Sequence, residues 1–179
     1  DNGRIRWYNV DMPETMELRR RMLESRDREQ NIGKSILDFT WLDSVKKKPG
    51  EAILFVCCDV TKYFTTKKLQ AFLDAIWQRF PGAEVLFDVK NSVGRKQANL
   101  KVLTGKKKGS FIKVSIDNCT SLMYDWNIKY RVLYDRAILN KEDITEMFSD
   151  DVARRYRHAI RRKYDKIIQL RLGTERIQF

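Results

Sequence analysis

The sequence predicts an α/β fold: an open sheet with a parallel centre and an antiparallel edge, packed against helices. Three observations carry that expectation. Residues 51–60 (EAILFVCCDV) and 84–89 (EVLFDV) are nearly continuous apolar runs, which suit strands buried on both faces of a parallel sheet. Between them Leu69, Phe72, Leu73, Ile76 and Trp77 recur at amphipathic-helix spacing, so the segment reads as strand, crossover helix, strand. Residues 129–139 (KYRVLYDRAIL) and 167–172 (IIQLRL) read as two late strands around a helix, the makings of an antiparallel edge.

The remaining elements follow in order. Residues 4–10 (RIRWYNV) are rich in β-formers and predict a strand. Residues 14–26 (ETMELRRRMLESR) predict a helix, with Pro13 suited to its first turn and Glu14 to the positive end of its dipole. Residues 34–37 predict a short second strand. Thr65 and Thr66 offer a cap for the crossover helix and Pro81-Gly82 a stop. Residues 111–116 read as the end of a helix or a short strand, and 141–163 as mostly helix. With no repeat and no long linker, residues 1–179 read as a single domain.

Composition narrows the class. At 179 residues with 42% apolar and 11% aromatic content, the chain can bury a core. No run approaches a membrane span and no signal-peptide pattern opens the chain, so no membrane partner is expected and a cytoplasmic location is the default. The three cysteines lack metal-ligand spacing and read as buried thiols in a reducing compartment. A net charge of +12 raises nucleic acid as a partner. The densest cluster, Arg154, Arg155, Arg157, Arg161, Arg162 and Lys163, shares its helix with acids, which ranks a solvated helix face above a nucleic-acid footprint.

Two carboxylates point to a nucleoside. In doubly wound sheets ligands bind beyond the carboxyl ends of the strands, and a carboxylate there accepts both hydroxyls of a ribose. Asp11 follows the first strand in that position. Asp38, in SILDF, is expected to end the next strand and to accept from an adenine amino group, with Met12 or Phe39 covering the ring.

The order WYNVDMPETMELRRRML, SILDFTWLD, ILFVCCDVTKYF, FPGAEVLFDV, YDWNIKYRVLYDRAIL resembles the class I S-adenosylmethionine-dependent methyltransferases of the leucine carboxyl methyltransferase and polyketide-synthesis O-methyltransferase family. The resemblance implies a Rossmann-like sheet and S-adenosylmethionine as cofactor, with Asp11 at its ribose and Asp38 and Phe39 at its adenine. It implies a small-molecule hydroxyl or carboxyl as methyl acceptor. The family pattern places a Glu where Cys58 stands and a Gly where Asp59 stands, while Tyr63 and Phe64 keep the pattern. The segment at Cys58 is thereby expected to approach the methyl-donor end, and Tyr63, Asp125 and Trp126 to contact the acceptor. The family's first strand and Gly-rich turn have no counterpart, and no GxG occurs in the sequence. The chain is therefore expected to be the carboxy-terminal portion of a longer methyltransferase, inactive alone.

Other chemistries lack support. The single His158 lies in a basic helix with no Ser or Cys nucleophile nearby in sequence, and TGKKKGS lacks the GxxxxGK[ST] phosphate-loop pattern. A degenerate binding or scaffold protein and a basic nucleic-acid-associated protein stay open as alternatives at this stage.

Overall fold

The structure, a computed structural model, describes residues 4–24, 26–106, 108–127, 129–139 and 148–173. The chain separates into two compact units, Asp1–Glu51 and Ala52–Phe179.

In the first unit, strand β1 (Trp7–Asp11) is followed by helix α1 (Pro13–Met22) and strand β2 (Glu29–Gly33). The strands pair in parallel, from Trp7 opposite Glu29 to Asp11 opposite Gly33. Helix α1 stops three residues after its arginines begin: the backbone turns extended at Leu23, short of the expected end at residue 26. The second strand also departs from expectation. It occupies EQNIG, and residues 34–37 form a bend and turn, because Ser35 folds the chain back: its carbonyl accepts from Asp38 N at 2.9 Å and its hydroxyl from Leu37 N at 3.3 Å. A 3-10 turn, Phe39–Ser44, then buries Trp41 and Leu42.

In the second unit, β3 (Leu54–Cys57) leads through a 3-10 turn at Thr61–Tyr63 to helix α2 (Thr66–Arg79) and strand β4 (Glu84–Lys90). Thr65 caps α2 by accepting from Lys68 N, and Leu69, Phe72, Leu73 and Ile76 are buried as the spacing predicts. Helices α3 (Ser92–Leu103) and α4 (Cys119–Trp126), neither expected from the sequence, precede β5 (Tyr130–Ala137). Helix α5 (Asp150–Arg161) and strand β6 (Asp165–Leu172) complete the unit. Of the helix expected over 141–163, residues 150–161 are helical, 148–149 and 162–163 are not, and 141–147 lie outside the described residues.

The sheet order is β3-β4-β6-β5. β3 and β4 are parallel, while β6 inserts antiparallel between β4 and β5. The expected antiparallel edge is present, but the parallel pair lies at the other edge of this four-stranded sheet. Nor is β3 buried on both faces: Leu54 and Val56 are exposed, because no further strand or helix among the described residues of this unit covers them. One face of β4 (Val85, Phe87, Val89) and of β6 (Ile168, Leu170, Leu172) is buried, and with α2 it makes the core. Two of the cysteines, Cys57 and Cys119, are buried as expected, but Cys58 is exposed, because it follows β3 on the alternate face at the strand's end.

Candidate functional site

The first unit places its candidate residues at the carboxyl ends of its parallel strands. Asp11 closes β1, and Met12 N-caps α1 with Pro13 in the first turn, so the chain passes from strand to helix without a loop. The two strand ends are tied together: Lys34 N donates to Asp11 O at 2.9 Å. A close approach of Gly33 to Pro13 accompanies this, since a Cβ there would meet Pro13 Cα at 3.2 Å. The Asp11 carboxylate is exposed and accepts from Met12 N at 2.7 Å through Oδ1. A carboxylate offers about four acceptor positions, so this bond leaves capacity for a vicinal diol. Met12 is exposed beside it.

Asp38 does not end a strand. It lies five residues beyond β2 and caps the 3-10 turn, accepting from Thr40 N at 3.2 Å and Thr40 Oγ1 at 2.6 Å. The Thr40 side-chain hydrogen bond, more than its backbone one, holds the Asp38 carboxyl below its ordinary range. Lys34 Nζ donates to the same hydroxyl at 2.6 Å. Phe39 follows, half-buried. Asp11 and Met12 thus sit at the carboxyl end of β1, whereas Asp38 and Phe39 follow β2 in the chain by way of a turn. A larger cavity, about 500 Å³, lies at the opposite end of these strands beside Trp7, Arg19, Arg28 and Glu29.

In the second unit Cys58 is exposed just beyond β3, and Asp59 adopts φ +58°, the left-handed region that Asp tolerates better than most residues. That conformation is held from β4: Asp59 N donates to Asp88 Oδ1 at 2.5 Å and Thr61 Oγ1 donates to Asp88 O at 2.5 Å. The Asp59 carboxylate pairs with Lys62, whose ammonium also sits 5.0 Å from the centre of the Tyr63 ring. Tyr63 itself is 53% exposed. Asp59, Lys62, Asp88, Lys90 and Asp165 line a cleft of about 140 Å³, with Lys90 paired to Asp165. That volume admits a few waters or one small polar group, well short of a drug-sized ligand. Asp88 and Lys90 were missed in the sequence; the available signal was an acid and a base after the apolar stretch VLF in EVLFDVK.

Asp125 and Trp126 are not brought near Tyr63. They end α4, next to Asn127, whose carbonyl accepts from Tyr130 N, and Tyr130 pairs with Leu172 where β4 begins. They thus occupy the amino end of β4, whereas Tyr63 and the cleft lie at its carboxyl end.

Among the described residues no group of His, Cys, Asp and Glu is arranged to hold a metal ion. No helix of the described residues is long and apolar enough to cross a membrane.

A strand-helix-strand unit with a carboxylate at its first strand's end, and a mixed sheet with an antiparallel β6, define the chain as having the class I methyltransferase fold. Solved structures agree. An O-methyltransferase family protein from Burkholderia thailandensis matches with a TM-score of 0.55 at 12% identity, over 97% of this chain and 45% of that one. Human N-acetylserotonin methyltransferase in complex with S-adenosylmethionine matches at 0.52 and 13% identity, over 94% and 41%. In sequence, the chain is 31% identical over 84 residues to the tetracenomycin polyketide synthesis O-methyltransferase TcmP of Streptomyces glaucescens, 47% of this chain and 30% of that protein. No family model matches the chain. The chain thus spans less than half the length of each of these three relatives.

Proposed function

We propose that the protein to which this chain belongs is an S-adenosylmethionine-dependent O-methyltransferase acting on a small-molecule hydroxyl or carboxyl. The observation that carries this reading is Asp11, an exposed carboxylate at the carboxyl end of a parallel strand with a helix starting directly after it. Sequence similarity to TcmP supports the O-methyl class.

The residues present fit the nucleoside part of the cofactor. Asp11 accepts the two ribose hydroxyls, Met12 and Phe39 offer apolar surface to the adenine, and Asp38 offers what acceptor capacity Thr40 leaves. S-adenosylmethionine supplies, when bound, a methyl group on a sulfonium centre ready for in-line displacement. Such chemistry demands alignment more than proton transfer, so the chain's contribution is to hold and orient. Cys58 and Tyr63, exposed beyond β3 of the second unit, carry the methyl-donor and acceptor roles on the family pattern alone. Asp125 and Trp126, at the other end of β4, are left out of that role.

The test is isothermal titration of S-adenosylhomocysteine into the full-length protein and its Asp11→Ala variant. Losing two charge-assisted hydrogen bonds predicts at least about tenfold weaker binding, roughly 1.4 kcal/mol or more. Absence of binding by the unaltered full-length protein would defeat the reading.

A further inference from the structure

The charge excess is not spread over the chain. Residues 1–51 hold 11 Lys and Arg against 10 Asp and Glu, whereas residues 52–179 hold 25 against 14. Within the second group, residues 89–116 contain eight Lys and Arg and no acid at all. This stretch runs from the end of β4 through α3 and back, and the nucleoside reading makes no use of it.

Helix α3 touches the body along one side only. Gly94 is its buried residue, packed against Tyr164, and Arg95, Ala98, Asn99 and Val102 are half-buried on the same side. At about 100° per residue, Val93, Lys96, Leu100 and Leu103 fall within an arc of about 80° on the opposite side. That outward side is apolar as well as basic: Leu100 is 58% and Leu103 73% exposed. The returning loop adds Phe111, 49% exposed. Its position is fixed, because Asn99 clamps the next residue in both directions: Asn99 Nδ2 donates to Ile112 O at 3.0 Å, and Ile112 N donates to Asn99 Oδ1 at 2.8 Å. Lys96, on the outward side itself, and Lys106 and Lys108, just past the helix end, are exposed with this apolar tip.

We infer that the outward face of α3, with the loop at Phe111, is a docking surface for an anionic phospholipid bilayer. The charge identifies the sign of the partner, and the side chains identify its kind. A nucleic acid would satisfy the lysines but gives two projecting leucines nothing to pack on, since bases stack on aromatic rings. An amphipathic peptide helix calls for an apolar groove, whereas Leu100 and Leu103 project. A bilayer takes both features together: aliphatic side chains enter the acyl boundary while lysines, with flexible apolar stems, keep their ammonium groups at the phosphate level. No helix of the described residues is long and apolar enough to span a bilayer, and this is a surface contact.

The experiment is cosedimentation of the full-length protein with vesicles of phosphatidylcholine alone and with about 30% phosphatidylserine, at low and high salt. Two variants are compared with the unaltered protein, Leu100→Ser/Leu103→Ser and Lys96→Glu/Lys106→Glu/Lys108→Glu, each checked for fold by circular dichroism. The expected result is binding only to the anionic vesicles and falling with salt. The leucine variant should weaken it about tenfold and the lysine variant on the order of a hundredfold. No binding to anionic vesicles overturns the inference, as does binding that the leucine variant leaves unchanged. Tighter binding to a single-stranded oligonucleotide than to the vesicles would also overturn it, in favour of nucleic acid. None of these outcomes depends on methyl transfer.

Discussion

Replacing Gly94 by Ala should destabilise the protein, although the same change in an ordinary helix stabilises it. Alanine gains about 1 kcal/mol over glycine in a helix interior. Here an added Cβ would lie 2.4 Å from Tyr164 O, 3.0 Å from its carbonyl carbon and 3.1 Å from its Cα, all backbone atoms. The carbonyl would have to recede by about 1 Å to reach ordinary contact, and it has little freedom to do so. It accepts from Asn91 N at 3.2 Å, and the next residue, Asp165, begins β6, which is held between β4 and β5. Overpacking of this kind costs about 1–3 kcal/mol, and a weakened backbone hydrogen bond adds about 1 kcal/mol. The clash therefore outweighs the helix gain, for a net loss of about 1–3 kcal/mol. With an m-value near 2 kcal/mol/M in urea, the unfolding midpoint should fall by about 0.5–1.5 M at unchanged slope. A midpoint that stays put or rises would show that α3 is not pinned to Tyr164 as described, and the rigid presentation of its outward face would fall with it.

Lys166 is 1% exposed, with Nζ 3.1 Å from Asp135 Oδ2 and 3.4 Å from Asp117 O, whereas the Asp135 side chain keeps 22% exposure and has Lys163 Nζ 3.9 Å away. Asp135→Ala, which strands a buried ammonium, should therefore cost about 3 kcal/mol or more, and Lys166→Met about 1 kcal/mol or less; equal losses in chemical denaturation would refute this asymmetry. In the native protein a thiol reagent should modify Cys58 rapidly, and Cys57 and Cys119 only on unfolding; fast labelling of either buried thiol would contradict the packing. Burial pushes both of those thiols from 9.0 up to about 12, and burial with the Asp74 hydrogen bond raises Tyr130 as well. These groups are held protonated in the fold, so their stabilisation is complete below about pH 9 and is lost as pH rises toward 12. Cys57→Val/Cys119→Val should flatten that alkaline decline, measured as unfolding free energy against pH, and an unchanged slope would assign it elsewhere.

The parts of the fold that could be read from the sequence are those whose signal is local and apolar. Helix α2 announces itself by its buried stripe and by Thr65, and β4 and β6 by alternating or continuous apolar residues. Strand β2 does not, because EQNIG buries only Ile32; its placement against β1 rests on a polar ladder in which Asn9 Nδ2 donates to Glu29 and Asn31, and Arg19 joins both. The Arg19 hydrogen bond is the main reason the Glu29 carboxyl is held below its ordinary range. Such a ladder is invisible to hydropathy, so the strand was assigned to the more apolar SIL and Asp38 was carried to the wrong element. Helix α3 escaped for the related reason that its exposed side carries leucines where a soluble helix carries charges. The position of Asp11 at a strand end is legible because a β-rich run, a carboxylate and a helix-starting proline are adjacent in the chain. That of Asp88 is not, because its partner Asp59 is brought to it only by the pairing of β3 with β4.

The loop after β3 shows why an acid one residue away does not replace the one missing from position 58. Asp59 is chemically able to act as a carboxylate, but its backbone is fixed at φ +58° by the hydrogen bond to Asp88, and its side chain is taken up by Lys62. To serve beyond β3 in place of a Glu at 58, it would have to leave Lys62 and reverse its backbone, giving up both interactions. The side chain exposed at position 58 itself is the Cys58 thiol, shorter than a Glu. A change at Asp59 is therefore expected to read out on this local bracing, while the proposed nucleoside role is tested separately at Asp11.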